Sequence, residues 1–260
     1  MNKWLLWILL TALTGNPILA AAIILVGWFA LDRFTFRFLP DPVRWVRRRM
    51  RASALRRTLQ VNPHDRRARF ELGDLLISFG RHREAVDVLK PNVEAGDDDV
   101  PMLYLVGVAL LGAGEFERGE LVIGEAMERD PGYRVGALWL ERGRYRVQRR
   151  DAAGAREDLQ KLLSYREGSV EGRVLLARAK EASGDGAGAA AMRSEAWREY
   201  RSAPLFIRRA ERWWAWRARP SRPVAYAVVA ALALFAFGRF VAPVVSRAVA
   251  APAAIAQDEP

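Results

Sequence analysis

The chain has 260 residues, a formal net charge of +11 and no cysteine, which excludes disulfides, thiolate metal sites and a lipid-modified cysteine. Its basic excess is confined to two segments: 33–61 has nine arginines and one acidic residue, and 201–222 has seven arginines and one acidic residue. The segment between them, 62–200, has 22 basic and 25 acidic residues. A nucleic-acid-binding domain would carry the excess on its own surface, so we predict no nucleic-acid partner.

The chain begins with a hydrophobic segment, 4–31, that contains no charged residue. As one helix it would be about 42 Å long, against a hydrocarbon core of about 30 Å. The triplet Gly15-Asn16-Pro17 interrupts it, which leaves either one kinked span, which we favour, or a hairpin of two short helices. A cleaved signal peptide is the alternative, but the apolar run continues beyond the small residues that a peptidase would need. We therefore predict an N-terminal membrane anchor over 1–32.

Arginines dominate the next segment, 33–61, for which we predict a helix from about Pro42 to Gln60 beside the membrane. Arginines in this position contribute on the order of 1 kcal/mol each to binding anionic membranes. The end of this helix would cover the open apolar edge of a following repeat array. The predicted contacts with lipid headgroups are Arg44, Arg47, Arg48, Arg49 and Arg51.

A pattern with a period of about 34 residues follows, over 62–203. A fixed period in this range indicates stacked supersecondary units, none of which buries its apolar face alone. Corresponding positions are spaced by 34, 36 and 34 residues. They are Leu72-Gly73, Val106-Gly107, Arg142-Gly143 and Leu176-Ala177; Gly80, Gly114 and Gly184; and Ala85, Gly119, Ala155 and Ala189.

These residues resemble the tetratricopeptide repeat, a helix–turn–helix unit of 34 residues in which small residues let the two helices approach closely. The resemblance implies an all-α fold, a right-handed solenoid of about four helix pairs. The units would occupy about 66–99, 100–133, 136–169 and 170–203, with the third starting two residues late.

In the tetratricopeptide family, the first helix of each unit lines a concave surface that holds partner peptides. The resemblance therefore implies a peptide-binding groove lined by Arg67, Phe70, Asp74, Ile77, Tyr104, Val108, Leu111, Leu140, Arg144, Val147, Val174 and Arg178. The alternative for any one of these side chains is a place in the core between helices. The Lys and Asn residues with which some members clamp a C-terminal carboxylate are absent from the matching positions.

No pattern of residues indicates catalysis, a metal or a cofactor. His64 and His82 lack partners at metal-ligand spacing, so we interpret both as solvated surface residues. The acidic run 97–99 is interpreted as the cap of a helix that starts near Pro101. Glycine-rich phosphate loops and nucleophile elbows are missing from the sequence. We predict a protein without enzymatic activity.

A basic, aromatic segment, 204–222, leads into a second hydrophobic segment, 223–247, and an Ala/Pro-rich tail, 248–260. Tryptophans mixed with arginines suit the headgroup layer. The predicted headgroup contacts are Arg208, Arg209, Arg212, Trp213, Trp214 and Trp216. Because Arg239 lies near the end of the apolar run, where it can snorkel, we predict a second transmembrane helix. The alternative is a surface helix that caps the solenoid.

Both hydrophobic segments have their arginines on the side of the repeats. The positive-inside rule then places the repeats in the cytoplasm of a bacterial inner membrane and both termini outside. Two functional hypotheses follow. The first is a membrane-tethered scaffold that binds a partner peptide or helix in the groove. The second is a structural protein that forms homo-oligomers and binds anionic lipid through its arginine-rich flanks.

Overall fold

The computed structural model of the protein describes residues 42–236 and, nearer the N-terminus, 11–12, 15–16, 18–20, 22–24 and 26–27. In this part of the chain the regular structure is entirely α-helical, which confirms the predicted all-α class. Most of the predicted anchor at 1–32 lies outside the described residues. So do the end of the predicted span at 223–247 and the tail at 248–260. No helix among the described residues combines the length and the apolar character that crossing a bilayer requires.

Four consecutive helix pairs form the centre of the described chain. They are flanked by one helix before the first pair and two helices after the last. The helices are α1 (Pro42–Val61), α2 (Arg66–Ser78), α3 (His82–Glu94), α4 (Val100–Ala113), α5 (Phe116–Arg129), α6 (Tyr133–Gln148), α7 (Ala152–Tyr165), α8 (Val170–Ala182), α9 (Gly186–Ser202), α10 (Leu205–Ala218) and α11 (Ser221–Ala236). The pairs are α2–α3, α4–α5, α6–α7 and α8–α9, and the two helices of each pair pack together.

Short polar side chains start the first helices of three pairs. Asp65, Asp99 and Ser169 each accept a hydrogen bond from the backbone N–H three residues further on, at 2.9, 2.9 and 3.0 Å. Such a side chain satisfies one of the amide groups that a helix leaves unpaired at its N-terminus. The interpretation of the acidic run 97–99 as a helix cap is therefore confirmed for Asp99.

Left-handed residues make the turns within the pairs. Gly80, Gly114 and Gly184 have φ values of +73°, +92° and +83°, and the corresponding residue of the third pair is Arg150, at +65°. Only glycine adopts this conformation without a steric penalty from Cβ. The glycine spacing in the sequence therefore marks the turns, and the third pair forms its turn without one.

The helices of a pair approach one another at positions where a side chain would not fit. A β-carbon placed on Gly73 would lie 2.6 Å from Leu89, and one on Gly107 would lie 2.6 Å from Ile123. Gly143 has the same relation to its own partner helix, at 2.9 Å. The repeating glycine is thus the contact point of the first three pairs.

The two extra residues of the third repeat are accommodated at the start of α6. Arg134, Val135 and Gly136 have left-handed backbone angles, with φ of +46°, +55° and +78°, and regular helical geometry resumes after them. Consecutive left-handed residues are unfavourable for L-amino acids, so neighbouring groups must hold them. One such group is the side chain of Arg166, whose Nη2 donates to the carbonyl oxygen of Arg134 at 3.3 Å.

The first and second helices of the pairs form two layers with different contacts. Within residues 42–236, α2 contacts α4, α4 contacts α6 and α6 contacts α8, whereas no second helix contacts another second helix. The first helices are therefore closer together than the second helices. A stack of this kind curves, with α2, α4, α6 and α8 on its concave side. We call these four helices the inner layer.

The flanking helices close the two ends of the stack. Ala52 and Leu55 of α1 are buried in the hydrophobic cluster of the first pair. Ala215 and Ala218 of α10 are buried in the cluster of the last pair. Both ends thus receive the apolar cover that terminal units of a solenoid need.

Candidate interaction surfaces

Four residues predicted to line the groove are buried in the core instead. Val108, Leu111, Leu140 and Val174 are between 2 and 7% exposed. Their side chains belong to the hydrophobic clusters that join neighbouring helices. The prediction that they line an open groove is therefore wrong in this structure, because close stacking of the inner layer covers them.

Tyr104 lies at the centre of the inner layer, on α4. Its ring centroid is 5.5 Å from that of Tyr133, and the guanidinium carbon of Arg134 is 5.3 Å from both ring centroids. We call Tyr104, Tyr133 and Arg134 the aromatic corner. Burial raises the pKa of Tyr104 to about 12, so its hydroxyl stays protonated at neutral pH. The aromatic corner therefore offers aromatic surface, two phenolic hydroxyl groups and one cation.

Three further residues predicted to line the groove are half-buried like Tyr104: Phe70, Ile77 and Val147. Ile77 packs against the clusters of both the first and the second pair, so it lies at the junction between α2 and α4. These side chains have one side in the core and leave the other accessible. A partner can contact them without first displacing core residues.

Arg144 is predicted to line the groove, but it is already paired. It bridges Glu141 on its own helix and Glu171 on α8, with N–O distances of 2.7 and 2.5 Å. Burial raises the pKa of Glu141. Burial also opposes the charge on Arg144, yet Glu141 and Glu171 hold its pKa above the ordinary value. We call these three residues the charged cluster.

The predicted set did not include either acidic member of the charged cluster. Glu141 and Arg144 are spaced i, i+3, a spacing that pairs side chains on one helix and was available from the sequence. The ion pair with Glu171 depends on how α6 and α8 stack, which the sequence does not display.

Arg67, Asp74 and Arg178, the remaining residues predicted to line the groove, are exposed. Arg67 and Phe70 also border a shallow cavity of about 310 Å³. The other residues around this cavity are Arg66, Asp97, Asp99, Pro101 and Met102. Among these residues the inner layer thus carries charges of both signs on α2 and a basic charge on α8, at its two ends.

A second set of ion pairs holds α5, α6 and α7 together. The fully buried carboxylate of Asp158 accepts hydrogen bonds from Arg142, at 2.6 and 3.0 Å, and from Arg146, at 3.1 Å. Arg146 also donates to Glu120, at 2.9 Å. Burial raises the pKa of Asp158, against the effect of the two arginines. These charges satisfy one another inside the solenoid, so we assign them to stability.

His82 is not the solvated surface residue that the sequence suggested. It is half-buried at the start of α3, and a β-carbon on Gly112 would overlap its ring. Burial lowers the pKa of His82, so the imidazole is neutral at pH 7. The contact joins the first pair to the second.

The N-terminal half of α1 projects beyond the repeats. Arg44, Arg47 and Arg48 are exposed there, and the guanidinium carbon of Arg49 lies 4.1 Å from the ring centroid of Trp45. Arg51, by contrast, donates two hydrogen bonds of 2.6 Å to the carboxylate of Glu71 on α2. Arg51 therefore joins α1 to the first pair, and its contact with a headgroup stays a prediction.

The predicted headgroup contacts on α10 divide between two faces of the helix. Trp214 packs against the clusters of the third and fourth pairs, and Arg208 is half-buried on the same side. Both therefore face the protein rather than a membrane. Trp213 is 56% exposed on the opposite side, which it shares with Arg209 and Trp216. Arg212 lies at the border between the two faces.

No protein-family model and no curated protein sequence matches this chain. Solved structures do match. A MamA structure labelled AMB-1 is 14% identical, with a TM-score of 0.53, and the match covers 62% of this chain and 94% of that one. A MamA structure labelled RS-1, a double mutant, is 18% identical, with a TM-score of 0.53 and coverages of 61% and 90%. A thermophilic tetratricopeptide-repeat protein of Thermus thermophilus is 23% identical, with a TM-score of 0.47 and coverages of 62% and 87%.

At these identities the similarity concerns the fold. The structural neighbours are tetratricopeptide-repeat proteins, and the chain shares their helical solenoid. The fold that the resemblance implied is therefore confirmed for the repeats.

Proposed function

We propose that this chain, which has a tetratricopeptide-repeat solenoid, is a membrane-tethered scaffold that binds a partner peptide or helix along its inner layer and has no catalytic activity. The observation that carries this proposal is the contact pattern of the helices. The first helices contact one another in succession and so form one continuous surface, whereas the second helices do not contact one another. A continuous helical surface is the part of the molecule that a long partner segment can follow.

The chemistry of this surface defines the partner. Half-buried Ile77 and Tyr104 offer an apolar contact at its centre. Exposed Arg67, Asp74 and Arg178 lie towards its two ends. A few aromatic or aliphatic anchors commonly supply most of the binding energy of an interface, while charges at the rim set orientation. We therefore propose a partner segment with a central apolar residue, charges of both signs facing α2 and an acidic residue facing Arg178 on α8.

The membrane tether in this proposal rests on the sequence of the two ends and on the exposure of α11. Its apolar residues Val224, Tyr226, Val228, Val229 and Leu232 are each more than half exposed. An apolar surface of this extent calls for a covering environment. We propose that 1–32 and 223–247 are inserted in a bacterial inner membrane, with the repeats in the cytoplasm and both termini outside.

Site-specific photo-crosslinking in intact membranes tests the scaffold. A photo-reactive amino acid in place of Asp74, which is exposed on the inner layer, should crosslink a partner. The same group in place of Leu121, which is 74% exposed on the outer helix α5, should not. Adding Tyr104→Ala to the Asp74 probe should remove most of the adduct, because an aromatic anchor supplies a large share of binding energy.

The thermal unfolding of each variant is the control for this experiment. Tyr104 is half-buried, whereas Leu111 lies in the core. Leu111→Ala should therefore lower the free energy of unfolding by about 2–5 kcal/mol, and it is the reference for a destabilised variant. Equal crosslinking from Asp74 and Leu121, with Tyr104→Ala without effect, would refute the inner-layer site. If adducts then form only between copies of this chain, the self-associating structural protein becomes the supported function.

A further inference from the structure

We propose that α10 is a two-sided helix that orients the solenoid on the membrane, with its inner face fixed to the fourth repeat and its outer face in the headgroup layer of an anionic bilayer. This inference rests on the membrane tether of the proposed function. It adds a specific lipid-contacting surface and a fixed orientation of the repeats.

The inner face of α10 is anchored by a carboxylate at the N-terminus of α8. Glu211 Oε2 accepts hydrogen bonds from the backbone N–H groups of Val170, at 2.9 Å, and Glu171, at 3.3 Å. A carboxylate in this position satisfies unpaired amides and is favoured by the helix dipole. Ala215 and Ala218 pack on the same side, where they are 0 and 5% exposed. The rotation of α10 about its own axis is therefore set by the protein.

The outer face of α10 is aromatic, aliphatic and basic. A helix turns about 100° per residue, which places Leu205, Phe206, Arg209, Trp213 and Trp216 on the side opposite Glu211. Leu205 is 63% exposed and Phe206 71% exposed. The rings of Trp213 and Trp216 pack edge to face, with centroids 5.2 Å apart.

The inner face of α10 has charges of both signs, Glu211 and Arg208, whereas the charged residues of the outer face are all arginines. The only acidic residue of α10 is Glu211, which is used on the inner face. The charged residue at the centre of the outer face is Arg209, with Arg212 and Arg217 at its borders. Tryptophan and arginine together suit the depth at which hydrocarbon meets phosphate, because the indole is amphipathic and the guanidinium binds phosphate. An anionic bilayer surface matches this face in both hydrophobicity and charge.

The helix that follows distinguishes a bilayer from a protein partner. Only Arg219 and Pro220 separate α10 from α11. On α11, the exposed residues Val224, Tyr226, Val228, Val229 and Leu232 spread over more than half of the helix circumference. A protein groove covers one side of a helix, whereas a bilayer covers all sides. One lipid environment therefore accounts for both the outer face of α10 and the surface of α11.

Measuring how deeply labelled residues of the full chain lie in the bilayer tests this proposal. Because the chain has no cysteine, each label attaches only at the introduced cysteine. Single variants Phe206→Cys, Val224→Cys and Arg198→Cys carry a nitroxide label in vesicles of phosphatidylcholine with phosphatidylglycerol. Oxygen concentrates in the bilayer, and a nickel chelate stays in water. The label at 206 should be reached by oxygen and shielded from nickel, although less deeply than the label at 224. The label at 198, on exposed α9 surface, should show the opposite preference.

The outcomes separate the two proposals. In one outcome the label at 224 is in the bilayer, but nickel reaches the label at 206 as easily as the label at 198. This outcome overturns the role of α10 and leaves the tether intact. A label at 224 that is also in water overturns the tether itself. The same depth at 206 in vesicles of phosphatidylcholine alone overturns the preference for anionic lipid. Helical content measured by circular dichroism confirms that each labelled variant is folded.

Discussion

Asp158 has no access to solvent, and both of its carboxylate oxygens are used by arginines of the neighbouring helix. Charges in such a position are costly to transfer from water, so each depends on its partners. Arg142 and Arg146 are themselves largely covered, with side chains 16 and 18% exposed. The group therefore behaves as one unit that spans α6 and α7.

Asp158→Ala should destabilise the protein by about 3–5 kcal/mol, because it leaves two covered arginines without their shared carboxylate. The neighbouring Glu157 is exposed, so Glu157→Gln should change stability by less than about 0.5 kcal/mol. Thermal and denaturant unfolding of both variants, followed by circular dichroism on the full chain in detergent, measures the difference. Similar stability of the two variants would show that the buried ion pairs contribute little.

For individual residues, the sequence alone does not distinguish the exposed groove residues from the buried ones. Arg67 and Val174 were both predicted to line the groove from the family register, yet the first is exposed and the second buried. The distinction depends on how closely successive inner helices stack, which is a property of the whole array. The contact of Asp158 with Arg142 is hidden for the same reason, since it joins residues on different helices.

Within the helix pairs, the smallest side chains mark where backbones meet. A β-carbon on Gly119 would lie 2.8 Å from the side chain of Leu111 and 2.9 Å from its backbone nitrogen. The backbone nitrogen cannot move aside as a flexible side chain can. Gly124, on the same helix, has no atom within 4 Å of such a β-carbon.

Gly119→Ala should destabilise the protein by about 1–3 kcal/mol, because α4 and α5 must separate to admit the methyl group. Gly124→Ala should instead stabilise it by about 0.5–1 kcal/mol, because alanine loses less conformational entropy in a helix. The two variants have the same chemistry on one helix, so helix propensity alone predicts equal effects. Melting temperatures that shift in the same direction would contradict the close approach seen here.

The helices themselves could be predicted well from local signals. Capping side chains such as Asp99, the turn glycines and the 34-residue period are all short-range features of the sequence. The start of α6 could not be predicted in this way. The late start of the third repeat indicated two extra residues, but arginine and valine have no preference for the left-handed angles found at Arg134 and Val135. Contacts with the neighbouring helices impose that conformation.

At the scale of the whole molecule, the distribution of arginines predicts the topology. A reporter that is active in the cytoplasm should function when it is inserted at Gly96, an exposed residue between α3 and α4. Reporters that require export should function at Met1 and Pro260. The reason is that both arginine-rich segments lie on the repeat side of the predicted spans, and positive charge is retained in the cytoplasm. Export of the Gly96 fusion would invert the topology and move any partner to the other compartment.

The separation of the second helices has a mechanical consequence. When an array has neighbouring units that contact one another along one edge only, bending leaves that edge nearly constant in length. The distances between units along the other edge change most. Here the inner layer is the contacting edge, and the second helices α3, α5, α7 and α9, which do not contact one another, form the other edge. The array can therefore change curvature by small rotations at the junctions between pairs, without unpacking any pair. The second helices would move most in such a change, and a segment bound along the inner layer would contact several pairs and hold them at fixed angles to one another.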